Sequence, residues 1–253
     1  MKRFLLLLAL ISLFTGCTSL SVQQDPSILR VGITADSPPV IFKQGGQISG
    51  VEASFAEKLG QDLGREIVFI EVPWAKQIEY IEKNKTDIIM SGMTITQPRE
   101  YRVNFSKPYM ISGLTALFRR SDYAANGLMP SIVRHQSTKV GAVKNTTGEI
   151  YVLDTYVNAK VIIYNSKDAA VSALKSSKIN MLIHDAPMIW WIAAKNEADL
   201  VSFPELMNNE KLAWGISKNN LELLDAVNLS LEKMKNDGSG EKILKNWFPG
   251  KSQ

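Results

Sequence analysis

Three short segments carry the side chains of this 253-residue chain that could do chemistry together. In Thr94-Ile95-Thr96-Gln97-Pro98-Arg99 a guanidinium follows a threonine-rich turn; its rigid fork of donors suits bidentate contact with a carboxylate. Asn145-Thr146-Thr147-Gly148-Glu149 reads as a helix start with a threonine cap. Such a start presents unpaired N–H groups and a partial positive charge, a seat for the same kind of anion. Asp185 ends the run Asn180 to Ile183 and can accept from an ammonium. Arg99 and Asp185 on facing walls would complement a zwitterion.

Each of these residues also has a purely structural reading. Arg99 alone is an ordinary surface arginine, Asp185 a helix cap before Pro187, Thr146-Thr147 a cap, and Trp74 a core side chain. Trp190-Trp191 and Trp214 read as core or hinge packing. His184 beside Asp185 invites a catalytic pair, but neighbours in an extended segment point to opposite faces, which favours a packed histidine. His135 lies in a polar loop. The chain has no metal-ligand spacing, phosphate loop or nucleophile elbow, and no pocket general acid is assignable. We therefore expect neither catalytic residues, nor a metal, nor a cofactor.

The elements that must position these residues alternate short β-branched runs with amphipathic stretches, the pattern of a parallel sheet covered by helices. Strands are expected at Leu29 to Thr34, Ile67 to Val72, Asp87 to Met90, Lys139 to Val143, Lys160 to Tyr164 and Asn180 to Ile183. Helices are expected near Glu52 to Leu63, Ala75 to Lys83, Thr147 to Val157 and Lys167 to Ser176. The plan occurs twice: Arg30-Val31-Gly32-Ile33 with its two following strands, then Lys139-Val140-Gly141-Ala142 with its own. The first copy holds an inserted hairpin, Phe42 to Ile48, with Gly45-Gly46 at its turn. In open parallel sheets ligands gather beyond the carboxyl ends of the strands. That rule selects Thr34 to Pro39, Pro73-Trp74, Ser91 to Arg99, Lys144 to Thr147 and His184-Asp185. Leu221 to Lys235, with Leu224, Val227, Leu231 and Met234 on one side, reads as an amphipathic helix ended by Asp237-Gly238-Ser239-Gly240.

The N-terminus reads as an export signal. Met1-Lys2-Arg3 precedes an apolar run, Phe4 to Phe14, of 11 residues, short of the roughly 20 a spanning helix requires. Leu13-Phe14-Thr15-Gly16-Cys17 resembles a lipobox, and Cys17 is the only cysteine. The expectation is a signal peptide over 1–16, lipidation at Cys17 as a membrane anchor, and a polar tether over 17–27; an ordinary signal cleaved nearby is the alternative that Phe14 keeps open. Loss of Lys2 and Arg3 lowers the basic count from 29 to 27 against 25 acids. With no run of like charge and no basic-aromatic stripe, nucleic acid is not an expected partner.

Gly32, Pro38-Pro39, Trp74, Ser91-Gly92-Met93-Thr94-Ile95-Thr96, Arg99, Asn104-Phe105-Ser106-Lys107-Pro108-Tyr109, Thr146-Thr147, Asp185 and Trp247-Phe248 occur in this order. In that series, from about residue 28 to the end, the chain resembles family 3 of the bacterial extracellular solute-binding proteins, the amino-acid receptors of ABC importers. The resemblance implies an α/β, two-lobed periplasmic-binding-protein-like fold of type II, each lobe a mainly parallel sheet flanked by helices. It places lobe 1 at 28–112 plus 214–253, lobe 2 at 113–213, and hinge strands near Tyr109 to Leu117 and Lys211 to Ile216. It further implies a monomer outside the cytoplasmic membrane that captures an α-amino acid and delivers it to an ABC permease. Arg99 would clamp the ligand carboxylate with Thr94 and Thr147, Asp185 would take the α-ammonium near the Gly92 carbonyl, and Trp74 would pack on the side chain, with Thr146 beside them. Ser37 and Val40 stand where the family often has aromatics, Asn145 where it usually has glycine, and Thr34 where receptors for basic or amide ligands often carry an acid. Cyclohexadienyl or arogenate dehydratases share the fold and a similar clamp, and a sensory partner would use the same closure; these are the alternatives.

Overall fold

The computed structural model describes residues 25–126 and 137–248. The expected signal peptide, Cys17, most of the tether and His135 lie outside the described residues.

In chain order the elements begin with β1 (Ile28–Ile33), β2 (Asp36–Ser37), β3 (Ile41–Gln44), β4 (Gln47–Ser49), α1 (Val51–Leu63) and β5 (Glu66–Glu71). After a 3-10 turn at Trp74–Lys76 come α2 (Gln77–Glu82), β6 (Ile88–Ile89), α3 (Gln97–Glu100), β7 (Val103–Phe105), β8 (Met110–Ser112), β9 (Leu114–Arg119) and α4 (Arg120–Asn126). The rest are β10 (Lys139–Val143), α5 (Thr147–Thr155), β11 (Lys160–Tyr164), α6 (Lys167–Lys175), β12 (Met181–Asp185), α7 (Ala186–Lys195), β13 (Leu200–Ser202), β14 (Glu210–Leu212), β15 (Gly215–Ser217), α8 (Leu221–Asn236) and α9 (Ser239–Trp247).

The two copies read in the sequence become two sheets of the same plan, ordered β5-β1-β6-β15-β7 and β11-β10-β12-β9-β13. β10 and β11 occupy the expected residues, and Gly45-Gly46 turns the β3–β4 hairpin at positive φ, where glycine costs nothing. Each sheet packs its own core. The first sheet has a main cluster around Leu29, Val31, Phe55, Leu59, Trp214 and Val227 and a smaller one of Ile81, Ile89, Met93 and Val103; the second likewise splits into clusters on either face of β10 and β12.

The sheets are mainly parallel, as expected: four strands of each run one way, and one strand, β15 in the first and β9 in the second, runs against them. The pairs β1–β5, β1–β6, β10–β11 and β10–β12 are parallel, whereas β6–β15, β15–β7, β12–β9 and β9–β13 are antiparallel. The cause is the crossing. β8 pairs with β14 as a separate two-stranded ribbon, and β9 and β15, the strands that follow, enter their sheets from the ribbon, opposite in direction to strands delivered by crossover helices. The amphipathic helix expected at the C-terminal end forms as α8, and its buried Val227, Leu231 and Met234 join the first core.

Candidate functional site

All eight residues singled out in the sequence, namely Ser37, Trp74, Gly92, Thr94, Arg99, Thr146, Thr147 and Asp185, line one cavity of about 410 Å³ between the sheets. They reach it by the strand-end rule: Arg99 from α3 after β6, Thr146 and Thr147 at the start of α5 after β10, and Asp185 at the end of β12.

Arg99 is held from three sides. Its Nη1 donates to the Thr94 carbonyl at 2.9 Å, Nη2 leans toward the Asn145 carbonyl at 3.5 Å, and the guanidinium lies 5.2 Å from the Trp74 ring centroid, a cation–π distance. Burial lowers its pKa, and Asp185 and Glu210 oppose that shift; arginine stays charged either way. Asp185 keeps about a third of its side chain open to the cavity. Burial would raise its pKa, but His184, Lys167 and Arg99 outweigh it and hold the carboxyl below its ordinary range. The site therefore sets a fixed cation and a fixed anion on one cavity wall each.

Trp74 lines the cavity and also packs against a hydrophobic cluster. That cluster is formed by Ile81, Ile89, Met93 and Val103, and the Trp74 Nε1 donates 2.8 Å to the Asn145 carbonyl on the other lobe. Asn145 sits at φ 63, the left-handed region that glycine favours and asparagine tolerates, which accounts for the residue standing there. Thr146 caps α5: its hydroxyl donates to the Val143 carbonyl at 2.7 Å and accepts from the Glu149 amide at 3.3 Å. Thr94 and Thr147 both point their hydroxyls at Glu210 Oε2, at 2.7 and 3.2 Å. Gly92, at φ 68, donates its N–H to the buried Glu52 carboxylate at 2.7 Å. His184 is 2% exposed, as a packed histidine should be, but the expected opposite facing of the two neighbours does not hold: His184 and Asp185 line the same cavity, with His184 Nδ1 2.9 Å from Asp185 Oδ2, because Asp185 turns out of the strand to begin α7.

Sequence reasoning missed Glu52 and Glu210. Both had a signal: Glu52 stands three, four and seven residues before Phe55, Ala56 and Leu59, on the buried stripe of α1, and Glu210 shares a strand face with buried Leu212. It also missed Lys167, whose ammonium bonds Asp36 at 2.5 Å and the Ser37 hydroxyl across the cavity mouth. Nothing in the local sequence pairs residues 130 apart. The Asp36 side chain is 56% exposed, so this bridge is a weak, salt-screened tie between lobes. Lys167→Ala is expected to weaken ligand binding by no more than about fivefold, in line with a pair worth up to about 1 kcal/mol. The loss should shrink when calorimetry is repeated in 0.5 M salt.

A two-lobed α/β protein of type II binding-protein architecture, with a charged cleft between lobes, is the class that this fold and site define. The profile of the Bacterial extracellular solute-binding proteins, family 3, matches residues 29–250, and the chain belongs to that family. It is 24% identical over 230 residues to the L-cystine-binding protein TcyJ of Escherichia coli K12, covering 90% of this chain and 85% of that one. Among solved structures it is similar to the ancestral amino acid-binding protein AncCDT-1, a precursor of cyclohexadienyl dehydratase (31% identity, TM-score 0.79, 88% and 95% covered). It is also similar to an ancestral arginine-binding protein bound to arginine (29% identity, TM-score 0.81, 88% and 98% covered).

Proposed function

We propose that this chain captures a small α-amino acid by closing lobes 28–112 plus 214–253 and 113–213 on it, and hands it to an ABC importer. The observation that carries the reading is the pair of opposite, opposed charges: Arg99 presents N–H donors where a carboxylate fits, and Asp185 stays ionised where an ammonium fits. The relatives, receptors for cystine and arginine among them, support an amino acid as the class of ligand. Lipidation at Cys17 would keep the receptor beside its permease.

The side chain of the ligand meets Trp74 on one side and the polar group of Ser37, Lys144 and Lys167 on another. After Asp36 neutralises Lys167 and the zwitterion occupies Arg99 and Asp185, Lys144 is the charge left in the lining. That balance supports a neutral or acidic side chain over a cationic one. A thermal-shift panel of the twenty amino acids and cystine tests both statements. One or a few α-amino acids should raise the melting temperature in a concentration-dependent way, as binding to the folded state must, with arginine and lysine among the inactive ones. No shift with any of them would remove the amino-acid reading; a shift with arginine or lysine alone would remove the charge argument and keep the rest.

A further inference from the structure

The hydrogen bonds behind the cavity wall form a directed chain. The Leu114 N–H, at the start of β9, donates to Asn208 Oδ1 at 2.7 Å. That contact fixes the Asn208 amide, so its Nδ2 donates to Glu210 Oε1 at 3.0 Å. Glu210 Oε2 is left to accept from Thr94 Oγ1 and Thr147 Oγ1. A carboxylate can only accept, and each hydroxyl has one proton. Every donor and acceptor role in the chain is therefore set by the backbone at its start.

The four anchoring points belong to different parts of the molecule. Leu114 and Glu210 lie at the two crossings between lobes: Leu114 begins β9 just after the ribbon strand β8, and Glu210 opens the other ribbon strand, β14, where it pairs with Ser112. Thr94 follows β6 and pairs with Leu212 through an isolated bridge; Thr147 opens α5 on the facing lobe. Glu210 is 6% exposed and bonds side chains from both walls with one oxygen. A buried carboxylate bound in this way holds its partners tightly, because each bond is charge-assisted and the alternative is an unsolvated anion.

We infer that Glu210 is a positioning residue: it holds the Thr94 and Thr147 walls in the closed register and thereby favours the closed form of the cleft. Both threonine protons are committed to Glu210, so an anion in the cavity is gripped by Arg99 and by backbone amides, with the hydroxyls serving as spacers that Glu210 orients. The inference rests on the reading of the cavity as a cleft that closes; it does not depend on which ligand enters.

The test measures closure without ligand. Spin labels at Gln47→Cys and Asp168→Cys, two exposed positions on opposite sides of the cleft, report the lobe-to-lobe distance by pulsed electron resonance in a chain with Cys17→Ser. Glu210→Ala should lower the ratio of short to long distances roughly tenfold, the weight of one or two such bonds. Thr147→Val, a milder change, should act in the same direction, and adding it to Glu210→Ala should change nothing further, since both remove one interaction. A buried group with a merely structural role would lower the melting temperature and leave the distances alone. Distributions for Glu210→Ala that superimpose on the wild type, or effects of the two substitutions that add, would overturn the inference. The amino-acid panel is a separate measurement: a panel with no hit alongside a shifted distance distribution would remove the ligand reading and leave the role of Glu210 standing.

Discussion

Replacing Arg99 or Asp185 by alanine is expected to weaken amino-acid binding by about thirtyfold to several thousandfold while leaving the protein folded. The magnitude follows from what each truncation leaves behind. Breaking one partner of a buried, hydrogen-bonded charge pair costs about 2–5 kcal/mol, much of it the cost of the opposite charge left unpaired, and about 2.7 kcal/mol is already a hundredfold. Without Arg99 the ligand carboxylate would meet only the α5 amides and hydroxyls committed to Glu210. Without Asp185 the ammonium would lie in a wall whose remaining nearby charges, Lys167 and Arg99, repel it.

The two variants differ in a second respect, which separates loss of the grip from general damage. Arg99 also stacks on Trp74 and donates to the Thr94 carbonyl, so Arg99→Lys keeps the charge and loses the fork and the stacking; it should recover little affinity. Asp185→Asn keeps the size and an acceptor oxygen but removes the charge that answers an ammonium. It should bind an amino acid almost as poorly as Asp185→Ala. Calorimetry on the panel's hits, with melting temperatures of the ligand-free variants as the control, decides it. Binding within threefold of wild type in both alanine variants would mean that the ligand lies elsewhere.

The parts of this site that were readable from the sequence are those set by local rules. Strand ends and helix starts follow from periodicity and capping, and they delivered Arg99, Thr146, Thr147 and Asp185 to one cavity. β10 and β11 were readable to the residue because Val140, Val161, Ile162 and Ile163 leave little choice of element. The direction of β9 and β15 was not readable, since direction depends on where the chain enters a sheet and not on the residues in the strand. Glu52 and Glu210 stayed hidden for a different reason. An acid in an amphipathic segment is assigned to solvent by default, and only the tertiary fold reveals that donors from distant segments surround it.

Glu52 gives the largest expected effect on stability, and its sign is specific. The residue is fully buried, accepting from the Gly92 N–H and the Tyr109 hydroxyl on Oε1 and from Trp214 Nε1 on Oε2, at 2.7, 2.8 and 2.7 Å. It thus ties α1 to the turn after β6 and to both crossings, where Tyr109 stacks on Trp214 with Phe55 at their edge. Burial raises its pKa to about 7 from the ordinary 4.5, and the three donors only partly offset that. The folded protein therefore binds this proton more tightly than the unfolded chain does. The stabilisation is complete below about pH 4.5 and is lost as the pH rises through about 7. A shift of this size corresponds to about 3 kcal/mol across that window. The paired acids do not mask the trend, because Asp62 and Glu79 are lowered to about 2 and give up their contributions only under more acidic conditions. Urea unfolding should show a higher midpoint at pH 5 than at pH 8. Glu52→Gln cannot titrate and should flatten that slope, at a lower stability because its amide would face the Trp214 N–H donor. Glu52→Ala should cost about 4 kcal/mol at pH 5, where three donors lose their acceptor in the core. A wild-type midpoint equal at the two pH values would show that Glu52 is not the proton-binding group described here.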